Sequence, residues 1–248
     1  MFIKKNLKVL IFSLIFAVLG YFLGKQNQDT SFTINEIRLG EKKYQFINPL
    51  LECETTSFFS NVALDSLKNS IVPVVNNLLS KGEISSISLY YRDLNNGPWF
   101  GINEKADFSP ASLIKVPLMI AYYKEAESNP DILKQTLEYS PIKNDGLTQD
   151  ILPSLTLTPN QTYTVDELIK NMIVYSDNQA YDLLLNNIDN QLLINTYTKL
   201  GVDISKGFTD PNGNILSVKS YAAFFRILYN ASYLNATMSE KALSLLAQ

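Results

Sequence analysis

A chain of 248 residues, 46% of them apolar, is long enough for one globular unit of two sub-domains around a sizeable core. Its net charge of −3, with no basic block beyond Lys4, Lys5 and Lys8, offers no footing for nucleic acid. Histidine is absent, which excludes Ser-His-Asp and Cys-His catalysis and removes the commonest metal ligand, so any base must be Lys, Asp or Glu.

At the N-terminus those lysines precede an uncharged apolar run over residues 9–23, the pattern of a membrane-targeting segment. A cleaved signal peptide needs small residues at its exit. Gly20-Tyr21-Phe22-Leu23-Gly24-Lys25 is bulky instead, which favours an uncleaved anchor over residues 1–24, with residues 7–24 in the membrane and Lys8 and Lys25 snorkelling to its faces. Positive residues ahead of the segment place the remainder outside the cytoplasm, as a single-pass membrane protein. Residues 25–55 are polar with short apolar patches and read as a juxtamembrane spacer. Cys53 is the only cysteine, so no internal disulfide can form. Glu52 stands where a lipid-attachment site needs a small residue, so the thiol reads as buried or idle.

Apolar residues recur at helical spacing over residues 58–79, and Gly82 stops that helix. Residues 84–91 alternate, Asn95-Asn96-Gly97 signals a turn, and residues 98–102 return as a hairpin. The next helix is marked by Ser109 as N-cap and Pro110 at the first helical position, placing Ser112 in its first turn. Pro117 has no amide for the carbonyl of Leu113, which predicts a kink just past Lys115. A looser region follows, broken by Asn144-Asp145-Gly146 and Pro153. Thr164-Val165-Asp166-Glu167 is a capping box opening a helix to about Val174, and another helix covers residues 179–187. A loop containing Thr209-Asp210-Pro211-Asn212 leads to a helix over residues 218–229. Thr237-Met238-Ser239-Glu240 reads as a second capping box, whose helix runs to the chain end.

Two motifs carry chemistry. Ser112-Leu113-Ile114-Lys115 places a hydroxyl and an amine on one helix face, within reach of each other. The pattern alone is weak, since about one match is expected by chance in a chain this long, and Ser140-Pro141-Ile142-Lys143 is a decoy in a breaker-rich loop. Ser112 differs because a buried-looking helix, Val116 to Tyr122, stands behind it as a rigid support. Ser176-Asp177-Asn178 has a bland reading as a helix cap, with Asp177 or Asn178 starting the next helix. It also follows Ser112 by 64 residues, between two helices, where a second wall of the same cleft belongs.

Together these motifs resemble the serine β-lactamase and penicillin-binding superfamily, most closely its class A-like branch, over residues 56–248. The resemblance implies an α+β, β-lactamase/transpeptidase-like fold with an antiparallel sheet sub-domain and a helical one. Ser112 is then the nucleophile, Lys115 its base, Ser176 a proton relay and Asn178 a binder of the substrate's side-chain amide. No cofactor or metal is implied. The partner is a β-lactam or a peptidoglycan stem peptide. Two departures stand out. No Lys-Thr/Ser-Gly triplet precedes Gln248, so the chain reads as truncated, without the strand that supplies the second oxyanion donor. The class A loop glutamate is also missing, because the only glutamate after Asn178 is Glu240, and Asp210 is its nearest substitute. Three functions follow: a membrane-anchored β-lactamase-like serine hydrolase, a D-Ala-D-Ala peptidase that acylates and turns over slowly, and a non-catalytic wall-binding protein or inert fragment.

Overall fold

A computed structural model of the chain describes residues 36–38, 44–53, 62–94, 98–140, 153–202, 213 and 215–248. In chain order these form β1 (Glu36–Arg38), β2 (Leu50–Cys53), α1 (Val62–Ser80), β3 (Leu89–Arg92), β4 (Trp99–Ile102), β5 (Asp107–Phe108) and a 3₁₀ turn (Ala111–Ile114). There follow α2 (Lys115–Ala126), a second 3₁₀ turn (Pro130–Lys134), β6 (Thr136–Tyr139), β7 (Gln161–Thr164) and α3 (Val165–Val174). The last elements are α4 (Asn178–Leu185), α5 (Asn190–Lys199), β8 (Leu216–Ser217), α6 (Val218–Tyr229) and α7 (Ala236–Leu246). All belong to one unit, Glu36–Cys53 with Phe59–Gln248, while a second unit, Met1–Asn35 with Glu54–Phe58, lies outside the described residues and takes the expected anchor with it. Among the described residues no helix is long and apolar enough to cross a membrane.

The core is built around α2. Its sequence is apolar on every side, and only Lys124 and Glu125 in its last turn and a half escape burial. A helix of that kind must be enclosed, and α3, α5, α7 and the second 3₁₀ turn pack around it. Leu118, Met119, Ile120 and Ala121 are wholly buried, and Tyr122 satisfies its hydroxyl by donating to the carbonyl of Leu184 at 2.8 Å. Leu118, Met119 and Ile120 each contribute roughly 1.5–3 kcal/mol from the area they remove from water.

The strands are short antiparallel pairs: β1–β2, β3–β4, β5–β8 and β6–β7. The predicted hairpin is the pair β3–β4, in register from Leu89 opposite Ile102 to Arg92 opposite Trp99. The capping box at Thr164 forms in both directions, Glu167 N–H to Thr164 Oγ1 and Thr164 N–H to Glu167 Oε2. Those bonds from the Thr164 backbone and hydroxyl hold the Glu167 carboxyl below its usual range.

Three expectations about helix starts are corrected. Ser109 does not cap the helix: Pro110 stands at the N-cap of the 3₁₀ turn without a side-chain bond, and α2 begins only at Lys115. The reason is Ala111, whose φ of 46° is left-handed and breaks the helical path that Ser109 would have opened. Pro117 therefore falls in the first turn of α2, where a missing N–H is unpaired anyway, and no kink is needed. The second capping box is replaced by Asn235, which accepts from Met238 N–H at 2.9 Å, because Glu240 is engaged elsewhere.

Glu240 binds the stretch read as spacer. Its carboxylate accepts the amides of Gln45, Phe46 and Ile47 at 2.8–3.2 Å. Arg38 adds bonds to the carbonyls of Asn48 and Leu94 and to Asn230 Oδ1. In its described part, then, residues 36–38 and 44–53, this stretch is a strand pair and arm fastened to the folded unit. Glu240→Ala should lower unfolding free energy by about 2 kcal/mol, the worth of hydrogen bonds to a charged acceptor. Urea denaturation measures this; an unchanged midpoint would mean that the arm contributes nothing.

Candidate active site

Two local structures meet at the site. Ser112 lies exposed in the 3₁₀ turn, and Lys115, three residues on, is the first residue of α2 and only 3% exposed. Opposite them the chain leaves α3 at Tyr175 and turns into α4. Ser176 makes that turn with a φ of 56°, and Asp177 caps the new helix. Asp177 is 1% exposed. Its Oδ1 accepts from Gln179 and Ala180, and its Oδ2 accepts from the amide of Leu157 at 3.2 Å, so one carboxylate fixes both the turn and the loop beside it.

The amine of Lys115 joins the halves. Nζ donates to the Ser176 carbonyl and to Asn178 Oδ1, each at 2.7 Å, and stands 3.0 Å from Ser176 Oγ and 3.3 Å from Ser112 Oγ. Ser176 Oγ is 3.1 Å from Ser112 Oγ, which closes a triangle of two hydroxyls and an amine. Burial pushes the lysine below its ordinary pKa of 10.5, against the opposing pull of the Asp177 and Asp182 carboxylates. A neutral amine carries two hydrogens and one lone pair. The two carbonyl acceptors take the hydrogens, leaving the lone pair for a serine hydroxyl; the protonated form donates its third hydrogen to the same hydroxyl. The arrangement can load and unload one proton without moving a heavy atom.

Ser112, Lys115, Ser176 and Asn178 are thus brought together as the two motifs predict. The decoy Ser140 is exposed at the end of β6, and Lys143, with Asp210, lies outside the described residues. Both readings of Ser176-Asp177-Asn178 hold at once, because the middle residue caps α4 while its neighbours face Lys115. Asp182 escaped the sequence reading. Its signal was its place four residues after Asn178, on the same face of a helix.

A family model described as the beta-lactamase enzyme family matches residues 71–248. Among solved structures, an acyl-enzyme complex of a PBP-A mutant with penicillin G is 18% identical with a TM-score of 0.56, covering 71% of this chain and 68% of that one. A beta-lactamase from Francisella tularensis is 18% identical with a TM-score of 0.56, over 70% of this chain and 67% of its own. A class A beta-lactamase from Mycobacterium abscessus is 18% identical with a TM-score of 0.55, over 70% and 68%. The likeness is one of fold, α+β and β-lactamase/transpeptidase-like. Comparison with curated proteins finds no match.

The lowered lysine pKa has a consequence for stability. Below it both states hold the proton, and folding bears the full cost of burying a charge. Between it and 10.5 only the unfolded lysine stays protonated, so stability rises with pH and levels off above that window. Urea titrations across alkaline pH should show this rise in the wild type and its loss in Lys115→Met. Parallel curves would show that the amine is not buried as a titrating group.

Proposed function

The chain belongs to the beta-lactamase enzyme family and is a hydrolase of that kind, and from this premise we propose that it opens β-lactam rings through an acyl-enzyme on Ser112, as a class A-type serine hydrolase. One observation carries the reading: a buried amine with depressed proton affinity stands within reach of two serine hydroxyls. A hydroxyl is a poor nucleophile until a neighbouring base takes its proton. Neutral Lys115 draws that proton as Ser112 Oγ attacks the lactam carbonyl. As the C–N bond breaks, Ser176 passes a proton from Lys115 to the leaving nitrogen; its Oγ lies 3.0 Å from Lys115 Nζ and 3.1 Å from Ser112 Oγ. Asn178 keeps Oδ1 on Lys115 and offers its amide hydrogens to the substrate's side-chain carbonyl. The exposed position of Ser112, beside a base that is itself shielded, supports this division of labour.

A second reading has its own support. Glu240, the only glutamate after Asn178, spends its carboxylate on the amides of residues 45–47, so it is not available at the cleft. That favours a D-Ala-D-Ala peptidase that acylates and releases β-lactams slowly, acting on peptidoglycan stem peptides. Turnover of a chromogenic cephalosporin supports the first function, and stable labelling without turnover supports the second.

The further proposal is that residues 1–24 anchor the hydrolase, residues 56–248, to the cell membrane on its outer side, which Lys4, Lys5 and Lys8 ahead of the apolar run support. Protease added to intact cells should digest the domain while the protein sediments with membranes; a protected domain sinks this orientation.

Incubation with benzylpenicillin, followed by peptide mass spectrometry, should place the adduct on Ser112 and not on Ser140. Lys115→Ala should reduce acylation by about 10²- to 10⁴-fold, the usual contribution of a positioned base. An adduct surviving Ser112→Ala removes the assignment.

A further inference from the structure

Away from the cleft, a second concavity opens toward the other end of α2. It encloses about 520 Å³ where the last turns of α2 and the second 3₁₀ turn meet the start of α5. Tyr122 stands two turns past Lys115, about 10 Å along the helix, and forms the floor. Its ring is 1% exposed and its hydroxyl is already given to the Leu184 carbonyl. Ile132, Ile188 and Leu192, each half-buried, supply apolar walls.

The polar rim is spent unevenly. Gln191 Nε2 donates to Asn195 Oδ1 at 3.0 Å, and Asn187 Nδ2 donates to the Leu183 carbonyl at 2.8 Å. Asp189 Oδ1 accepts the Leu192 amide and so caps α5. The Glu125 carboxylate, half-buried at the rim, has no hydrogen bond or ion pair among the described residues. No lysine or arginine lines the cavity, and the lysines on either side in sequence are engaged, Lys124 with Glu127 and Lys134 with Asp131. The volume is that of a small-molecule site, and its charged groups are both carboxylates. An anion would meet repulsion there. A neutral occupant would take water from Glu125 and return no counter-charge. An apolar body with a positive, hydrogen-donating head matches walls and rim together.

We propose that this cavity binds a small amphiphilic organic cation of the arylalkylammonium class, its ring among Ile132, Ile188 and Leu192 and its ammonium facing Glu125 and Asp189. The site is separate from the acyl-enzyme reading and stands or falls without it. Its occupant would touch the helix pair that carries Lys115 and Asn178, since α2 and α4 are bonded at Tyr122–Leu184 beside the cavity and at Lys115–Asn178 beside Ser112.

Phenethylamine, titrated into the isotope-labelled full chain and followed by amide NMR shifts, tests this. Shifts should centre on residues 122–132 and 187–195, with a Kd on the order of 1 mM, ordinary for a ligand of this size. Uncharged phenethyl alcohol should bind about tenfold more weakly. The amine should lose about as much in the double variant Glu125→Gln, Asp189→Asn, in which both side chains keep their size and asparagine still caps α5. Equal affinity for the alcohol, or unchanged affinity in the double variant, takes the carboxylates out of the site and overturns the proposal. Absence of shifts at about 10 mM amine overturns it too, as do shifts centred on Ser112 and Lys115. Should the double variant lose its native spectrum, the two single substitutions are read in the same way.

Discussion

Everything at this site depends on where one amine is buried. Lys115 sits at the start of a helix that is apolar on all sides, so its charge has no route to solvent along the helix surface. The compensation comes from across the cleft, from the Ser176 carbonyl and Asn178 Oδ1, 61 and 63 residues away in sequence. Removing the partners of a buried charge costs about 3–5 kcal/mol. The lysine therefore clamps the 3₁₀ turn to the turn between α3 and α4, and the same bonds that keep it buried set it against both hydroxyls. Structural and chemical demands coincide in a single nitrogen.

That clamp works because both jaws are rigid. On one side α2 is enclosed by α3, α5 and α7, leaving Lys115 little freedom to follow a moving substrate. On the other, Asp177 is buried and spends its carboxylate on three amides, two in α4 and one in the loop at Leu157. A short polar side chain there does what a disulfide or a metal does in other small folds. The chain has one cysteine, and among the described residues no cluster of His, Cys, Asp and Glu could hold an ion.

The site was legible because its signals are local. A serine three residues before a lysine, at the head of an apolar run, and a Ser-Asp-Asn before a helix are patterns within one or two turns of chain. Several helices were equally plain: the predicted span 218–229 is the observed Val218–Tyr229. What escaped depends on partners far away. Glu240 looked like a cap residue for Thr237, yet its oxygens go to amides some 195 residues earlier. Residues 36–53 looked like polar tether because nothing nearby in sequence shows that Arg38 will find Asn230. Helix α5 was hidden by composition, since Asn190, Asn195, Thr196 and Thr198 are weak helix formers. Only its Asp189 cap and the buried face of Leu193, Thr196 and Tyr197 define it.

The left-handed residues at the cleft carry an implication for how such a protein would drift under selection. Ala111 and Ser176 hold φ values of 46° and 56°, where a side chain costs roughly 1–2 kcal/mol that glycine would not. At position 111 glycine would relieve that strain while leaving every polar group of the cleft in place. At position 176 the same relief would delete the hydroxyl that bridges Lys115 and Ser112. A lineage screened only for robustness would thus be free to accept glycine at both places. If turnover runs through that hydroxyl, as proposed above, a lineage that must also turn over substrate would accept glycine at the first alone, and the residue found at 176 in natural variants would then record whether catalysis is still being maintained.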